Sequence, residues 1–157
     1  MKKSEMTKIL FICHGNICRS TMAQCIFQEL VNRRGWKERF RIDSAATSRE
    51  ELGNTIYPPA ERKLKEQNVP ILPHRARQIT AADYAAFDYL IGMDSANLAN
   101  MRRAFSGDPQ GKCSLLLDYT SGGGTISDPW YTDDFDTAYA QIRAGCEALL
   151  AQLAQRT

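Results

Sequence analysis

Cys13 and Arg19 stand six positions apart in the stretch Cys13-His14-Gly15-Asn16-Ile17-Cys18-Arg19-Ser20, and this pair of residue types suits phosphate chemistry. A cysteine attacks only as its thiolate, and an arginine presents a planar fork that matches two phosphate oxygens. A loop curled around one point aims its backbone N–H groups inward, and a following helix adds unpaired donors and partial positive charge. Gly15 and Asn16 are residue types that tolerate the left-handed backbone angles such curling needs. The field that holds a phosphate dianion also favours thiolate over thiol, so Cys13 is expected to be ionised near neutral pH. The spacing alone is weak evidence in a chain with five cysteines; its place between a strand and a helix makes it specific. The plainer alternative is a buried strand cysteine and a solvated helix arginine. Ser20 has two compatible roles, helix cap and partner of the departing thiolate.

The elements that must position these groups follow from periodicity. Lys8 to Cys13 reads as a buried strand, and Met22, Ile26, Phe27, Leu30 and Val31 recur at helical spacing from Ser20 to Asn32. Arg41 to Ala45 reads as a second strand. Pro59 opens a charged helix running to Asn68, and Thr80 with Asp83 resembles a capping box. Phe87 to Met93 reads as a third strand, with Ser95 capping a short helix after it. Cys113 to Tyr119 reads as a fourth. Asp133 and Asp134 open the last helix, striped by Phe135, Tyr139, Ile142, Cys146, Leu149, Leu150 and Leu153. Alternating strands and helices predict one α/β domain, a four-stranded parallel sheet with helices on both faces. In such sheets ligands bind beyond the carboxyl ends of the strands, where Cys13 falls.

Composition narrows the function. The 157 residues are 43% hydrophobic and carry a formal net charge of +2, too little to argue for nucleic acid. The first apolar run, Ile9 to Cys13, is too short for a signal-peptide core, and no segment reaches membrane-spanning length. A cytoplasmic protein with reduced thiols is expected, made of one domain over residues 1–157 with residues 1–7 as a flexible N-terminal extension. Cys113 and Cys146 read as small core residues. Two histidines and no Cys-x-x-Cys pair argue against zinc.

Asp128 is the candidate proton donor. It follows Gly122-Gly123-Gly124 and precedes Pro129, which biases it to extended backbone on a loop; by itself such an Asp-Pro is ordinarily a turn. Cleaving a phosphate ester whose leaving oxygen is basic calls for such an acid.

Together these motifs resemble the low-molecular-weight protein tyrosine phosphatases. The resemblance rests on CHGNICRS after an apolar strand, Asp43-Ser44-Ala45-Ala46, His74-Arg75-Ala76-Arg77-Gln78, Met93-Asp94 with Asn97, and Asp128-Pro129-Trp130-Tyr131. It implies a flavodoxin-like three-layer sandwich and a redox-sensitive enzyme acting on phosphotyrosyl proteins as a monomer or weak homodimer. No cofactor, metal, nucleic acid or membrane is implied, since Arg19 and the loop amides neutralise the phosphate charge. Residues Cys13, Arg19 and Asp128 would be catalytic. His14, Gly15, Asn16, Ile17, Cys18, Ser20, Glu50, Trp130 and Tyr131 would meet the substrate, Trp130 being either pocket wall or core. Asn16, Ser20, Ser44 and His74 would hydrogen-bond beneath the loop, and oxidation could join Cys13 to Cys18.

Three positions depart from the family pattern: Thr21 for a proline, His14 for an apolar residue, and Glu50 for an aromatic wall. Glu50 predicts modest efficiency on small aryl phosphates, or a substrate bearing basic residues. Arsenate reduction would need relay cysteines, and none lies between Cys25 and Cys113. Phosphoarginine hydrolysis goes with a threonine where Ile17 stands. A phosphocysteine carrier would not need Asp128, and a catalytically weak phosphotyrosine-binding module is hinted at only by Glu50.

Overall fold

A computed structural model describes residues 6–155. Four parallel strands, β1 (Thr7–Cys13), β2 (Phe40–Ala46), β3 (Tyr89–Gly92) and β4 (Cys113–Leu115), lie in the order β2-β1-β3-β4. The expected N-terminal extension falls mostly on residues 1–5, outside the described residues; Thr7 already pairs with Phe40. The alternating faces of β1 part the core in two. Ile9, Phe11 and Cys13 pack with α1 (Arg19–Arg33), α2 (Pro58–Glu66) and α6 (Phe135–Ala154). Leu10 and Ile12 face α4 (Ser95–Ala104), with Leu90, Met101 and Phe105. This is the expected three-layer α/β sandwich. Both faces of the sheet are covered, so β1 reads as a continuous apolar run.

Several boundaries differ from the periodicity reading, each for a local reason. Asp94, not Ser95, caps α4: its carboxylate accepts the Asn97 N–H at 2.8 Å while the Asn97 side chain accepts the Asp94 N–H at 3.1 Å. β4 stops at Leu115 because the Asp118 carboxylate takes the Leu115 N–H at 2.9 Å, and Leu116–Tyr119 curl into a 3-10 turn. α2 starts one residue early, at Pro58, and ends at Glu66, with Asn68 in the left-handed region at φ 60°. Asp134 alone caps α6, because Asp133 is a left-handed residue closing the short helix α5 (Pro129–Thr132), which the periodicity missed. The Thr80/Asp83 box does open a helix, α3 (Ala81–Ala86). Cys146 is fully buried, whereas Cys113 is only half-buried at the edge of the second core.

Gly145 marks where α6 presses on the turn after β4. A Cβ there would lie 2.5 Å from Leu116 Cγ, and Leu116 is fully buried. Gly145→Ala is therefore expected to destabilise the fold by about 1–3 kcal/mol through overpacking, read as a lower urea midpoint. An unchanged midpoint would show that Leu116 can yield.

Candidate active site

β1 delivers Cys13 to the carboxyl edge of the sheet, where the chain wraps once and enters α1 at Arg19. Asn16 makes that wrap possible by adopting φ 60°, a region asparagine enters more readily than most residues. Gly15 does not use positive φ, contrary to the expectation; it is small because Glu51 lies over it, a Cβ there meeting Glu51 Cγ at 3.2 Å. The loop is strapped from outside by the next segment. The Thr47 and Ser48 N–H groups donate to the carbonyls of Cys13 and His14 at 2.9 and 3.1 Å, and the Tyr57 N–H donates to Ile17 at 2.8 Å.

Cys13 is almost wholly buried. Its Sγ lies 3.1 Å from Ser20 Oγ and 3.5 Å from the Ser20 N–H, so the first turn of α1 turns donors onto the sulfur. Arg19 is 2% exposed and anchored on one side: Nη1 donates to Asp94 Oδ2 at 2.8 Å and to the Ile126 carbonyl at 2.9 Å. Both Nη1 hydrogens are thus engaged, and Nη2 meets Asp128 Oδ2 at 3.3 Å. Burial works against the Arg19 charge, but Cys13, Asp128 and Asp94 outweigh it and raise the pKa further, so the guanidinium stays charged. Burial, then the nearby charges of Cys13 and Asp128, pushes the Cys18 thiol up, which leaves Cys18 protonated.

Asp128 caps α5, its Oδ1 accepting the Trp130 N–H at 3.1 Å. This places the carboxylate between the loop and two aromatics on one cleft, lined by Cys13 to Arg19, Glu50, Glu51, Asp128, Trp130 and Tyr131. Trp130 is half exposed and leans on Tyr57 with ring centroids 4.9 Å apart; Tyr57 in turn meets Phe135 at 6.1 Å. Trp130 is thus wall rather than core. Tyr131 is 82% exposed at the rim.

Two of the departures noted in the sequence meet each other. His14 Nε2 lies 3.1 Å from Glu50 Oε2 at the mouth of the cleft, both side chains being more than half exposed. Beneath the loop, His74 Nε2 is 2.8 Å from Asn16 Oδ1 and 3.2 Å from Ser44 Oγ, and Asn16 Nδ2 donates to Ser20 Oγ at 2.8 Å. Burial first, and Arg77 after it, hold His74 below the usual imidazole pKa against the pull of Asp43, so it is neutral at pH 7. Every site residue expected from the sequence therefore lies in this cleft or directly under it. The residues missed as site components are Gln24, Glu51, Tyr57 and the Ile126 carbonyl, which have no local sequence signal because each reaches the site across the fold. Asp94 and Arg77 stood in matched motifs but carried no assigned role.

A parallel α/β sheet whose first strand ends in a tight loop holding a buried cysteine and a buried arginine on one cleft is an arrangement suited to a class of cysteine-centred phosphate-handling proteins. The comparisons narrow the class. The profile of the family described as low molecular weight phosphotyrosine protein phosphatase matches residues 8–157. The human low molecular weight phosphotyrosine protein phosphatase is 38% identical over 155 residues, covering 96% of this chain and 98% of its own. The crystal structure of YfkJ from Bacillus subtilis superposes with a TM-score of 0.95 at 32% identity, covering 99% of both chains. The structure of a Drosophila arginine phosphatase superposes at 0.83 with 32% identity, covering 94% of this chain and 98% of its own. The chain belongs to the low molecular weight phosphotyrosine protein phosphatase family.

Proposed function

We propose that this chain hydrolyses phosphotyrosine in proteins, and simple aryl phosphates, through a phosphocysteine intermediate. The observation that carries this is the convergence of Cys13 Sγ, the Arg19 guanidinium and the Asp128 carboxylate on one cleft walled by Trp130. The Cys13 thiolate attacks phosphorus in line; the S–P bond forms as the P–O bond breaks, and Asp128 passes its proton to the departing phenol oxygen. A water then gives a proton to Asp128 and attacks phosphorus, the S–P bond breaks back to thiolate, and inorganic phosphate leaves. The loop amides and Arg19 hold the equatorial oxygens in both steps. Ser20 Oγ, 3.1 Å from Sγ, stabilises the thiolate as it departs.

Acid quenching during turnover of an aryl phosphate, followed by peptide mapping, is expected to find phosphate on Cys13 alongside steady release of inorganic phosphate. Labelling without release would mark a carrier, and neither would mark a binding module.

This reading includes a single phosphatase domain over residues 1–157, phosphotyrosyl proteins as partners, a monomer or weak homodimer, and a cytoplasmic location without nucleic-acid or membrane association. The net charge of +2 gives no excess of positive charge for nucleic acid, and no helix among the described residues is long and apolar enough to cross a membrane.

Glu50 sets substrate preference at the rim. Its carboxylate, beside that of Glu51, disfavours anionic phosphopeptides and offers no stacking face. Glu50→Trp is expected to lower KM for an aryl phosphate several-fold, the scale of one aromatic contact of about 1 kcal/mol. Identical binding and turnover in the variant would remove this assignment.

Mild peroxide is expected to oxidise the Cys13 thiolate to a sulfenic acid; Cys18 attacks it on giving up its proton, and water leaves as the disulfide forms, a step slowed because burial keeps Cys18 protonated. Both sulfurs belong to the same buried loop. Mapping of the peroxide-treated protein tests this: a sulfinic acid on Cys13 with Cys18 still free would exclude the bridge.

A further inference from the structure

The hydrogen bonds beneath the loop have a direction, and one backbone donor establishes it. Asn16 Oδ1 receives the Arg77 backbone N–H at 3.3 Å. A backbone N–H only donates, so the oxygen end of the Asn16 amide faces residue 77 and the Nδ2 end faces Ser20 Oγ at 2.8 Å. Ser20 Oγ therefore accepts from Asn16, and its own proton is left for Cys13 Sγ at 3.1 Å. The same Asn16 oxygen, 2.8 Å from His74 Nε2, requires that nitrogen to donate. His74 Nε2 also reaches Ser44 Oγ at 3.2 Å, so Ser44 accepts there and sends its proton on to Gln24 Oε1, 2.5 Å away.

Ser44 is the point at which this chain could reverse. Were its hydroxyl to donate to His74 Nε2, the neutral imidazole would carry its proton on Nδ1, which lies 3.7 Å from Asp43 Oδ1. Two lone pairs would then face each other between Nε2 and Asn16 Oδ1. The Asn16 amide would turn over, lose the Arg77 N–H, and draw the Ser20 proton away from sulfur. Gln24 guards against this. It sits in α1, 7% exposed, and offers Ser44 an acceptor on the side away from the imidazole. Asp43 and Arg77, themselves ion-paired at 3.3 Å, are the charged groups facing His74; Arg19 and Asp128 share the cleft with Cys13.

We propose that Gln24 is a positioning residue: as terminal acceptor for Ser44 it holds His74 in its Nε2–H form and thereby keeps the Ser20 proton on the Cys13 sulfur. The proposal rests on the thiolate reading given above, and its test reads the imidazole without any turnover. In the full chain labelled with ¹⁵N-histidine, with His14→Gln assigning the signals, neutral His74 is expected to be protonated on Nε2; protonation on Nδ1 overturns the proposal. In Gln24→Met, which keeps the volume and removes the acceptor, the Nδ1–H form should become dominant. Alkylation of Cys13 by iodoacetate at pH 6 should then slow about tenfold, the effect of moving one hydrogen bond off the charged sulfur. An unchanged tautomer and alkylation rate in a folded Gln24→Met overturns the proposal. Adding Ser44→Ala removes the reversing donor and should restore Nε2–H, which general damage to the core would not do. Should Gln24→Met fail to fold, Gln24→Glu decides, because a carboxylate still accepts and must leave Nε2 protonated; its loss there overturns the proposal. An unreactive Cys13 beside an Nε2-protonated His74 would refute the thiolate reading while supporting the polarity.

Discussion

Cys13→Ser is expected to abolish turnover of an aryl phosphate, lowering kcat by at least about 10⁴-fold, the scale on which enzymes lose activity when a covalent nucleophile is removed. A serine hydroxyl in the same cradle is not ionised near neutral pH, and it would be a poorer leaving group when the intermediate breaks down. The cradle itself does not depend on sulfur. The loop amides remain, and Arg19 is still held by Asp94 and the Ile126 carbonyl. Cys13→Ser should therefore bind inorganic phosphate much as the unaltered protein does. Binding without turnover separates loss of the nucleophile from collapse of the loop. Sustained turnover by this variant would remove Cys13 from the mechanism.

Removal of the proton donor is expected to cost about 10²–10⁴-fold in kcat, the usual contribution of a positioned general acid. The loss should depend on the leaving group. It should be greatest for phenyl phosphate, whose phenol has a pKa of about 10, and smaller for an aryl phosphate that releases a more acidic phenol. Asp128→Ala alone is ambiguous, because Asp128 also caps α5 through the Trp130 N–H and neighbours Arg19. Its loss also costs about 1 kcal/mol of capping and frees Trp130. Asp128→Asn keeps an oxygen for the cap and has no proton of the required acidity. Both variants should lose activity to a similar extent, with KM disturbed more in the alanine variant. Near-full kcat in Asp128→Asn would show that Asp128 only shapes the wall.

The elements were legible where the signal was local. β1 and α1 follow from an apolar run and a helical stripe, and the Thr80/Asp83 box is written into adjacent residues. Boundaries failed where a side chain competed for a backbone donor. Leu117 and Tyr119 have strand-forming character, yet Asp118 takes the N–H that β4 would need to continue. Likewise Asp94 captures the cap of α4 because Asn97 reciprocates, a pairing that the serine beside it could not match.

For the site, the sequence by itself determined the candidate nucleophile, the candidate phosphate clamp and the turn between them, because these lie within eight consecutive residues, Cys13 to Ser20, whose chemistry is local. The acid at Asp128 was read from resemblance to related chains. Only the tertiary structure decided how Arg19 is aimed, since its anchors lie 75 and 107 residues away at Asp94 and Ile126. It also decided that His14 meets Glu50, that Tyr57 props Trp130, and that Gln24 receives Ser44. The physical reason is the same in each case. Hydrogen bonds and ring contacts act over a few ångströms in space, and the parallel crossovers bring together strand ends and loops that are far apart along the chain.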